Sequence, residues 1–135
     1  AGTNIAGGHE EFVGALGSAA IKVCDLEMGR TGIGEADAKR LGYSYKTIVV
    51  SAYDHPAYYP NPTPITMKLI YEEGTRKLLG AQACGSKGAV MRIDVFAVAI
   101  HAGMSTNELG MTDLIYAPPF AGVWDAVQIA CNAAK

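Results

Sequence analysis

The sequence lacks an excess of positive charge and lacks long apolar runs, and each absence excludes a class of partner. Eleven lysines and arginines against thirteen aspartates and glutamates give a formal net charge of −2. The chain therefore has no basic surplus with which to neutralise nucleic acid or to hold an anionic membrane surface. No uninterrupted apolar run approaches the roughly 20 residues of a membrane span. We expect neither nucleic acid nor a membrane among the partners.

Cysteine and histidine are too few and too scattered to predict disulfides or a metal site. Cys24, Cys84 and Cys131 are an odd number of thiols without a Cys-x-x-Cys spacing, and no histidine lies at ligand spacing from them. Because each cysteine has apolar neighbours, we predict three buried free thiols in a reducing cytoplasm. We predict no metal, and none of the three histidines is predicted to be catalytic.

The chain does contain enough apolar residues to form one domain. Of its 135 residues, 50% are hydrophobic and 18% are charged, as in ordinary globular domains. A chain of this length buries about two-thirds of its unfolded surface, so it needs no disulfide to fold. The dinucleotide fingerprint, the phosphate loop and the nucleophile elbow are all missing. Short motifs alone therefore give no complete catalytic set.

Hydrophobic periodicity predicts an α+β domain with a mainly antiparallel β-sheet. The predicted elements are a helix over 10–23, a strand over 25–31, a short helix over 35–41 closed by Gly42, a buried central strand over 47–53, a hairpin of strands 65–72 and 78–84, a helix that ends at Gly103, a short helix with a Ser105–Glu108 capping box, and a last helix from about 123 to the end. Strands followed by a run of helices are typical of α+β folds.

A proline-rich segment separates two of the predicted strands. Residues 54–64 hold four of the six prolines, which excludes a central strand there. We predict an ordered loop or extended arm, whose stiffness lowers the entropy lost on docking against a ligand or a second chain. Tyr58 and Tyr59 in this loop, and Tyr116 farther along, are candidate hydrogen-bond or proton donors, although a phenol of pKa about 10 needs a charged or desolvated neighbour. Amphipathic surface packing is the alternative.

Five blocks in order along the chain resemble a known family. They are Asn4-Ile-Ala-Gly-Gly8, Asp54-His55-x-x-Tyr58-Tyr59-Pro60, Leu79-Gly-Ala-Gln82, Arg92-Ile-Asp94 and Tyr116-Ala-Pro-Pro-Phe120. Together they resemble the C-terminal dimerisation domain of FAD-dependent pyridine nucleotide-disulfide oxidoreductases. Within that family they are most similar to the branch of coenzyme A disulfide reductases and NADH oxidases or peroxidases.

The resemblance implies an α+β domain that pairs two subunits into a homodimer and completes the partner's flavin site. By it, residues 1–8 are the tail of a preceding flavin domain and residues 9–135 are the dimerisation domain. The chain is then expected to be a fragment of a cytoplasmic enzyme whose flavin and nicotinamide domains lie upstream of Ala1. FAD and NAD(P)H are implied for the full-length enzyme, which would reduce a disulfide, polysulfide, peroxide or oxygen. We expect the isolated chain to be inactive and to hold neither cofactor tightly.

The same resemblance implies roles for individual residues. Tyr58 and Tyr116 match two tyrosines that act near the partner's redox cysteine in coenzyme A disulfide reductases, where they would donate to the leaving thiol. Pro118, Pro119 and Phe120 would pack against the flavin from across the dimer. The His–Glu pair of glutathione reductase relatives is missing from this last loop. A purely structural dimerisation module, in which the tyrosines only pack, is the alternative.

Three further groups of residues are considered for roles in assembly or binding. None of the three cysteines matches the redox cysteine of the family. Apolar residues of the last helix are candidates for the dimer interface, with an ordinary core position as the alternative: Val123, Trp124, Val127 and Ile129. Basic residues that could meet coenzyme A phosphates are not assigned that role, because solvated surface charges are commoner: Lys22, Lys68, Lys87, Arg30 and Arg92.

Overall fold

A five-stranded antiparallel sheet organises the computed structural model, which describes residues 1–135. The strands lie in the order β1-β2-β5-β4-β3. Their bounds are β1 (Ala19–Val23), β2 (Leu26–Gly32), β3 (Tyr45–Tyr53), β4 (Pro64–Glu72) and β5 (Leu78–Gly85). The helices are α1 (Gly2–Ile5), α2 (Glu35–Arg40), α3 (Ala89–His101), α4 (Thr106–Gly110) and α5 (Ala126–Ala133). The predicted α+β class with an antiparallel sheet is confirmed.

The core lies between one face of the sheet and two helices. Helix α3 packs on β2 and β5, and α5 packs on β3 and β4. Alternate side chains of β4, Ile65, Met67 and Leu69, are fully buried against a core that includes Phe96 of α3 and Val127 of α5. Burial of each such side chain stabilises the fold by about 1.5–3 kcal/mol. The two helices are thereby fixed relative to the strand ends that carry the site.

The β4–β5 hairpin and the helices that follow it form as predicted. The two strands pair in antiparallel register from Ile65 opposite Gly85 to Tyr71 opposite Leu78. Within the Leu79–Gln82 block, a Cβ on Gly80 would collide with the carbonyl oxygen of Ile33, so only glycine fits there. The Ser105–Glu108 capping box is present at the start of α4. These elements depend on local signals, which is why the sequence predicts them.

The predicted helix over residues 10–23 is wrong. Residues 8–18 form no regular structure, and Ala19–Val23 is a strand that pairs with β2. Gly14 and Gly17 both take positive φ, 92° and 68°, which a helix does not allow. The helical spacing of the apolar residues is therefore coincidental, because the two glycines between them have backbone angles that a helix does not allow.

The predicted central position of the 47–53 strand is also wrong. Strand β3 lies at the edge of the sheet, where it pairs only with β4. Its Ile48, Val50 and Ala52 pack on the core, whereas Val49 on the opposite face is exposed. A β-branched run suits an edge strand as well as a central one, so local sequence did not distinguish them.

The prediction of three buried thiols is wrong for one of them. Cys131 is buried and Cys84 is partly buried, but Cys24 is exposed. Cys24 lies in the two-residue turn between β1 and β2 with φ of 52°, where its apolar neighbours are themselves exposed. All three thiols are free, and burial raises the pKa of Cys131 to about 12, so that residue is not a nucleophile at neutral pH.

The helices are all short. The longest, α3, has 13 residues, and none of them combines the length and apolar character of a transmembrane helix.

Candidate functional site

The structure brings the two predicted tyrosines together. The phenolic oxygens of Tyr58 and Tyr116 lie 3.4 Å apart, although 58 residues separate them in the chain. Tyr58 lies in the proline loop (residues 54–63) between β3 and β4, and Tyr116 directly precedes a turn over 117–121. Both rings are largely exposed, at 73% and 52%. We call these two residues the tyrosine pair.

The contact between the hydroxyls affects the chemistry of Tyr58. The hydrogen bond with Tyr116 raises the pKa of Tyr58 above its ordinary value, and slight desolvation and the charge of a neighbouring tyrosinate act in the same direction. Tyr58 is therefore protonated at neutral pH and does not serve as a base there. Since one hydroxyl proton is used between the two rings, the other is free to donate outward to an acceptor such as a thiolate or an oxyanion.

The proline loop is ordered, as predicted, because its two ends are closed by hydrogen bonds. The backbone N–H of Asp54 donates to the Thr63 carbonyl at 2.9 Å. The N–H of Thr63 donates back to the Asp54 carboxylate at 2.7 Å. A further turn forms where the N–H of Tyr59 donates to the Pro56 carbonyl at 3.0 Å. Tyr58 thus lies at the outer end of a closed loop rather than on a free arm.

His55 fills the inside of the loop. Its Nδ1 lies 3.0 Å from an Asp54 carboxylate oxygen and its Nε2 lies 3.1 Å from the Pro60 carbonyl oxygen. Both partners accept hydrogen bonds, so the arrangement is satisfied in full when both ring nitrogens carry protons. The Tyr59 ring meets the imidazole edge-on, with centroids 5.6 Å apart. His55 is buried at 4% exposure, which makes it a structural residue of the loop.

Asp54 is held in its charged form under the loop. Burial raises the pKa of Asp54, but the hydrogen bonds from Thr63 and the bond and charge of His55 outweigh that effect and leave the pKa below its ordinary value. The sequence pattern did not predict this role for Asp54 and His55. An Asp-His dipeptide directly after a strand, at the start of a proline-rich loop, was the available signal.

Arg92 connects the loop to the rest of the site. Its Nε and Nη2 bind the Asp125 carboxylate, with the Nη2 contact at 2.7 Å. Nη2 also donates to the Asp54 carbonyl at 2.7 Å, and Nη1 donates to the Gly88 carbonyl at 3.0 Å. Arg92 is therefore neither a solvated surface charge nor a free phosphate ligand. Sequence reasoning missed this network because its members are 33 and 38 residues apart.

Asp125 joins this network to the last helix. Its carboxylate accepts from the N–H of Val127 at 2.8 Å, and its own N–H donates to the Gln128 side chain at 3.0 Å. This capping box fixes the start of α5, three residues later than the approximate start predicted from sequence. The same carboxylate thus caps a helix and neutralises Arg92.

The turn after Tyr116 presents the residues that the resemblance assigns to flavin contact. The N–H groups of Phe120 and Ala121 donate to the Ala117 carbonyl at 2.8 and 2.9 Å. Pro118 is partly buried, Pro119 is exposed, and Phe120 is 73% exposed. An exposed aromatic ring beside two prolines suits one wall of a ring-binding site. No dinucleotide fingerprint accompanies it, so these residues fit a contact with FAD held elsewhere, not a complete FAD site.

The candidate interface residues divide into two kinds. Val123 and Trp124 are exposed at 68% and 50%, and Ile129 is partly exposed. Val127 is fully buried in the core of the chain, so its assignment to an interface is wrong. It faces β3 and β4 because α5 packs its inner side on those strands.

Lys68, like Arg92, has a partner within the chain, because its ammonium is paired with the Glu35 carboxylate.

A family model matches most of the chain. The model described as "Pyridine nucleotide-disulphide oxidoreductase, dimerisation domain" covers residues 18–127. The matched region contains all five strands in full, together with the proline loop, Arg92 and the turn after Tyr116.

Curated relatives and solved structures are similar over almost the whole chain. The chain is 43% identical to an NAD(P)H sulfur oxidoreductase (CoA-dependent) of Pyrococcus furiosus, over all of this chain and 30% of that protein. It is 31% identical to a coenzyme A disulfide reductase of Staphylococcus aureus, over 93% of this chain and 28% of that protein. An NAD-dependent persulfide reductase from A. fulgidus superimposes with a TM-score of 0.93 at 39% identity, over 98% of this chain and 25% of that one. The chain therefore spans less than a third of the length of these relatives.

Proposed function

Since this chain belongs to the dimerisation domains of the pyridine nucleotide-disulphide oxidoreductases, we propose that it pairs two subunits of a flavoenzyme and donates Tyr58 and Tyr116 to the partner's active site. The proposed reaction is reduction of a sulfur–sulfur bond, in coenzyme A disulfide or a polysulfide, at the expense of NAD(P)H. The convergence of two phenolic hydroxyls to 3.4 Å at an exposed surface is the observation that carries this proposal. The names of the relatives support the choice of a sulfur substrate over oxygen or peroxide.

The reaction creates an anion that the tyrosine pair can stabilise. FAD, when bound in the enzyme, would supply the electron pair, with NAD(P)H as its source. Cleavage of one S–S bond by two electrons leaves two thiolates, and two protons complete the thiols. A hydroxyl of the tyrosine pair would donate to the sulfur that gains charge as the bond breaks. A donor placed where charge develops lowers the barrier.

The pKa of Tyr58 decides between two forms of this donation. An ordinary thiol has a pKa of about 8.5, well below that of a tyrosine. Because the Tyr116 contact raises the pKa of Tyr58 further, full proton transfer from Tyr58 to a thiolate is unfavourable. The pair therefore acts as a hydrogen-bond donor that stabilises the thiolate through the hydroxyl whose proton is not shared between the rings, and the proton that completes the thiol comes from solvent. This favours a stabilising role over the general-acid role.

The exposed position of the pair supports a site shared between subunits. Tyr58, Tyr116 and Phe120 are each more than half exposed, so nothing in this chain covers them. In the proposed dimer, Pro118, Pro119 and Phe120 would line the flavin of the partner subunit while the tyrosine pair faces its redox cysteine. Residues 1–8 would then continue from the chain's own flavin domain, and residues 9–135 would form the dimerisation domain.

The test is the kinetics of a flavoenzyme that contains this chain with Tyr58→Phe and Tyr116→Phe combined. We expect turnover with coenzyme A disulfide to fall by about a hundredfold, as on removal of one preorganised hydrogen-bond donor. Reduction of the flavin by NADH, measured anaerobically, should keep its rate because that step precedes the sulfur chemistry. Tyr59→Phe is the matched control, since the Tyr59 hydroxyl makes no hydrogen bond within the chain. Equal turnover of the double variant and this control would refute the role of the pair.

A purely structural dimerisation module is the second candidate. The exposed apolar residues Phe120, Val123 and Trp124 near the site favour it, because such surfaces are typical of subunit interfaces. This candidate predicts that the two tyrosine substitutions leave turnover unchanged and at most weaken the dimer. Sedimentation of the same variant over a range of concentrations separates loss of pairing from loss of chemistry.

A further inference from the structure

We propose that Arg92 is the positioning residue of the tyrosine pair, because it donates to the main chain of the proline loop and lies beside the main chain of the turn after Tyr116. This inference rests on the proposed function for its catalytic consequence. Its structural content is separate: one guanidinium sets the distance between the proline loop and the turn after Tyr116.

The contacts of Nη2 carry the inference. It donates to the carbonyl of Asp54 at 2.7 Å and lies 3.5 Å from the carbonyl of Phe120. Asp54 is four residues before Tyr58, and Phe120 is four residues after Tyr116. Each tyrosine is therefore four residues away from a carbonyl that faces the same Arg92 nitrogen.

Direct hydrogen bonding between the two segments is limited to one contact. The long Tyr58–Tyr116 contact is the one hydrogen bond that joins the proline loop to residues 116–121. A hydroxyl contact between two exposed rings is too weak to hold two loops in register, since exposed side chains keep most of their rotamer freedom. The shared contact with Arg92 is then the main polar restraint on their separation.

The guanidinium is itself fixed in orientation. Its Nε and Nη2 grip the Asp125 carboxylate in a fork, and Nη1 binds the Gly88 carbonyl just before α3. Arg92 lies in the first turn of α3, which is packed on the sheet, and Asp125 caps α5. All three nitrogens are therefore engaged, and the plane of the group cannot rotate without breaking a bond to one of two helices.

Lysine is the substitution that separates charge from geometry. Arg92→Lys keeps the positive charge opposite Asp125, but an ammonium is a point donor that cannot bind a carboxylate in a fork together with the carbonyls of Gly88 and Asp54. We expect the Arg92→Lys enzyme to fold, with the two loops no longer held at a fixed separation. Arg40→Lys is the matched control, because Arg40 makes an exposed pair with Asp37 on α2.

The test is a double-mutant cycle in the flavoenzyme. We expect Arg92→Lys to lower kcat with coenzyme A disulfide about fivefold to twentyfold when both tyrosines are present, and less than about twofold when Tyr58 and Tyr116 are both phenylalanine. KM and the rate of flavin reduction by NADH should stay within about twofold throughout. Similar losses of kcat in both backgrounds would overturn the proposal, because Arg92 would then act on something other than the pair.

Hydrogen exchange of the same proteins provides a readout that does not depend on catalysis. We expect Arg92→Lys to speed amide exchange in segments 54–63 and 116–121 and to leave α3 and α5 protected, whereas Arg40→Lys changes neither segment. Unchanged exchange in both segments would overturn the positioning role. If the tyrosine substitutions leave turnover unaltered, the proposed function fails, and faster exchange in both segments would still support Arg92 as the residue that positions them.

Discussion

The base of the site and its outer tip satisfy their polar groups in different ways. At the base, His55, Asp54 and Asp125 are at most 7% exposed, and each is hydrogen-bonded within the chain. At the tip, Tyr58 and Tyr116 are mostly exposed, and a 3.4 Å contact with each other is their one polar contact in the chain. The chain thus uses its internal bonds to hold a shape and leaves the donor groups facing outward.

Because of this difference, we expect substitutions at the base to change mainly stability and substitutions at the tip to change mainly chemistry. Removal of a side chain at the base of the site leaves a buried charged partner without its counterpart, which destabilises the fold because the surroundings have a low dielectric constant. Removal of a tyrosine hydroxyl at the tip leaves no buried polar group without a partner, since water can replace the contact. Four variants, taken from the largest expected effect to the smallest, test whether the two parts respond as differently as their environments predict.

Asp125→Ala should give the largest loss of stability. It leaves Arg92 partly buried without its carboxylate and removes the cap of α5, so we expect the free energy of unfolding to fall by about 3–5 kcal/mol. Chemical denaturation measures the change. Asp94→Ala on the exposed side of α3 is the control, with an expected change within about 0.5 kcal/mol. Similar small changes for both variants would mean that the base is not a buried ion-pair network.

Asp54→Asn should have a smaller effect that depends on pH. It weakens the charge-assisted bonds to Thr63 and His55, and we expect a loss of about 1–3 kcal/mol at neutral pH. Because the pKa of Asp54 is lowered in the folded state, its contribution is present above the unfolded value of about 3.9 and is lost as pH falls through the folded value. The variant should therefore lose less stability than the wild type on acidification below about pH 4. Parallel acid profiles would show that Asp54 is not held charged by the loop.

Tyr58→Phe combined with Tyr116→Phe should leave stability almost unchanged. Both rings keep their exposed positions, so the free energy of unfolding should shift by no more than about 0.5 kcal/mol. Thermal and chemical denaturation check this on the same proteins used for kinetics. A large loss here would mean that the tip is part of the structural network, and the contrast between base and tip would disappear.

Tyr116→Phe should produce the smallest change, confined to the titration of its neighbour. With the hydroxyl contact removed, the pKa of Tyr58 should fall back towards its ordinary value. Nuclear magnetic resonance of ring-labelled tyrosine follows the titration of the Tyr58 ring alone. An unaltered titration would indicate that the two hydroxyls do not interact in solution.

The sequence predicts the elements whose signals are local. Alternation in β4, the helical spacing of Ile93, Phe96 and Ile100 in α3, and the capping box at Ser105 are each contained within a few residues. The helix over 10–23 and the central position of β3 are wrong because strand pairing decides both. Ala19–Val23 becomes a strand through its partner β2, and no property of β3 alone shows that one of its edges stays unpaired.

The candidate site also contains residues that the sequence identifies and residues that only the fold identifies. Family resemblance selects Tyr58, Tyr116 and the Pro118–Phe120 turn, and their roles remain predictions. Their convergence, and the Arg92 network beneath them, depend on contacts between residues 28 to 58 positions apart. Hydrophobic periodicity carries no information about such contacts. From the sequence, Arg92 is therefore interpreted as an ordinary surface charge, whereas the fold shows it at the centre of a hydrogen-bond network.

The most direct test of the shared site uses hybrid dimers of the flavoenzyme. One subunit carries Tyr58→Phe and Tyr116→Phe with an intact flavin domain, and the other carries both tyrosines with its redox cysteine replaced. If the tyrosine pair serves the partner's flavin, each hybrid contains one complete site, and mixing two impaired proteins should restore up to half of the wild-type turnover per hybrid dimer. Hybrids that form but stay as impaired as their parents would show that the tyrosines do not act across the dimer.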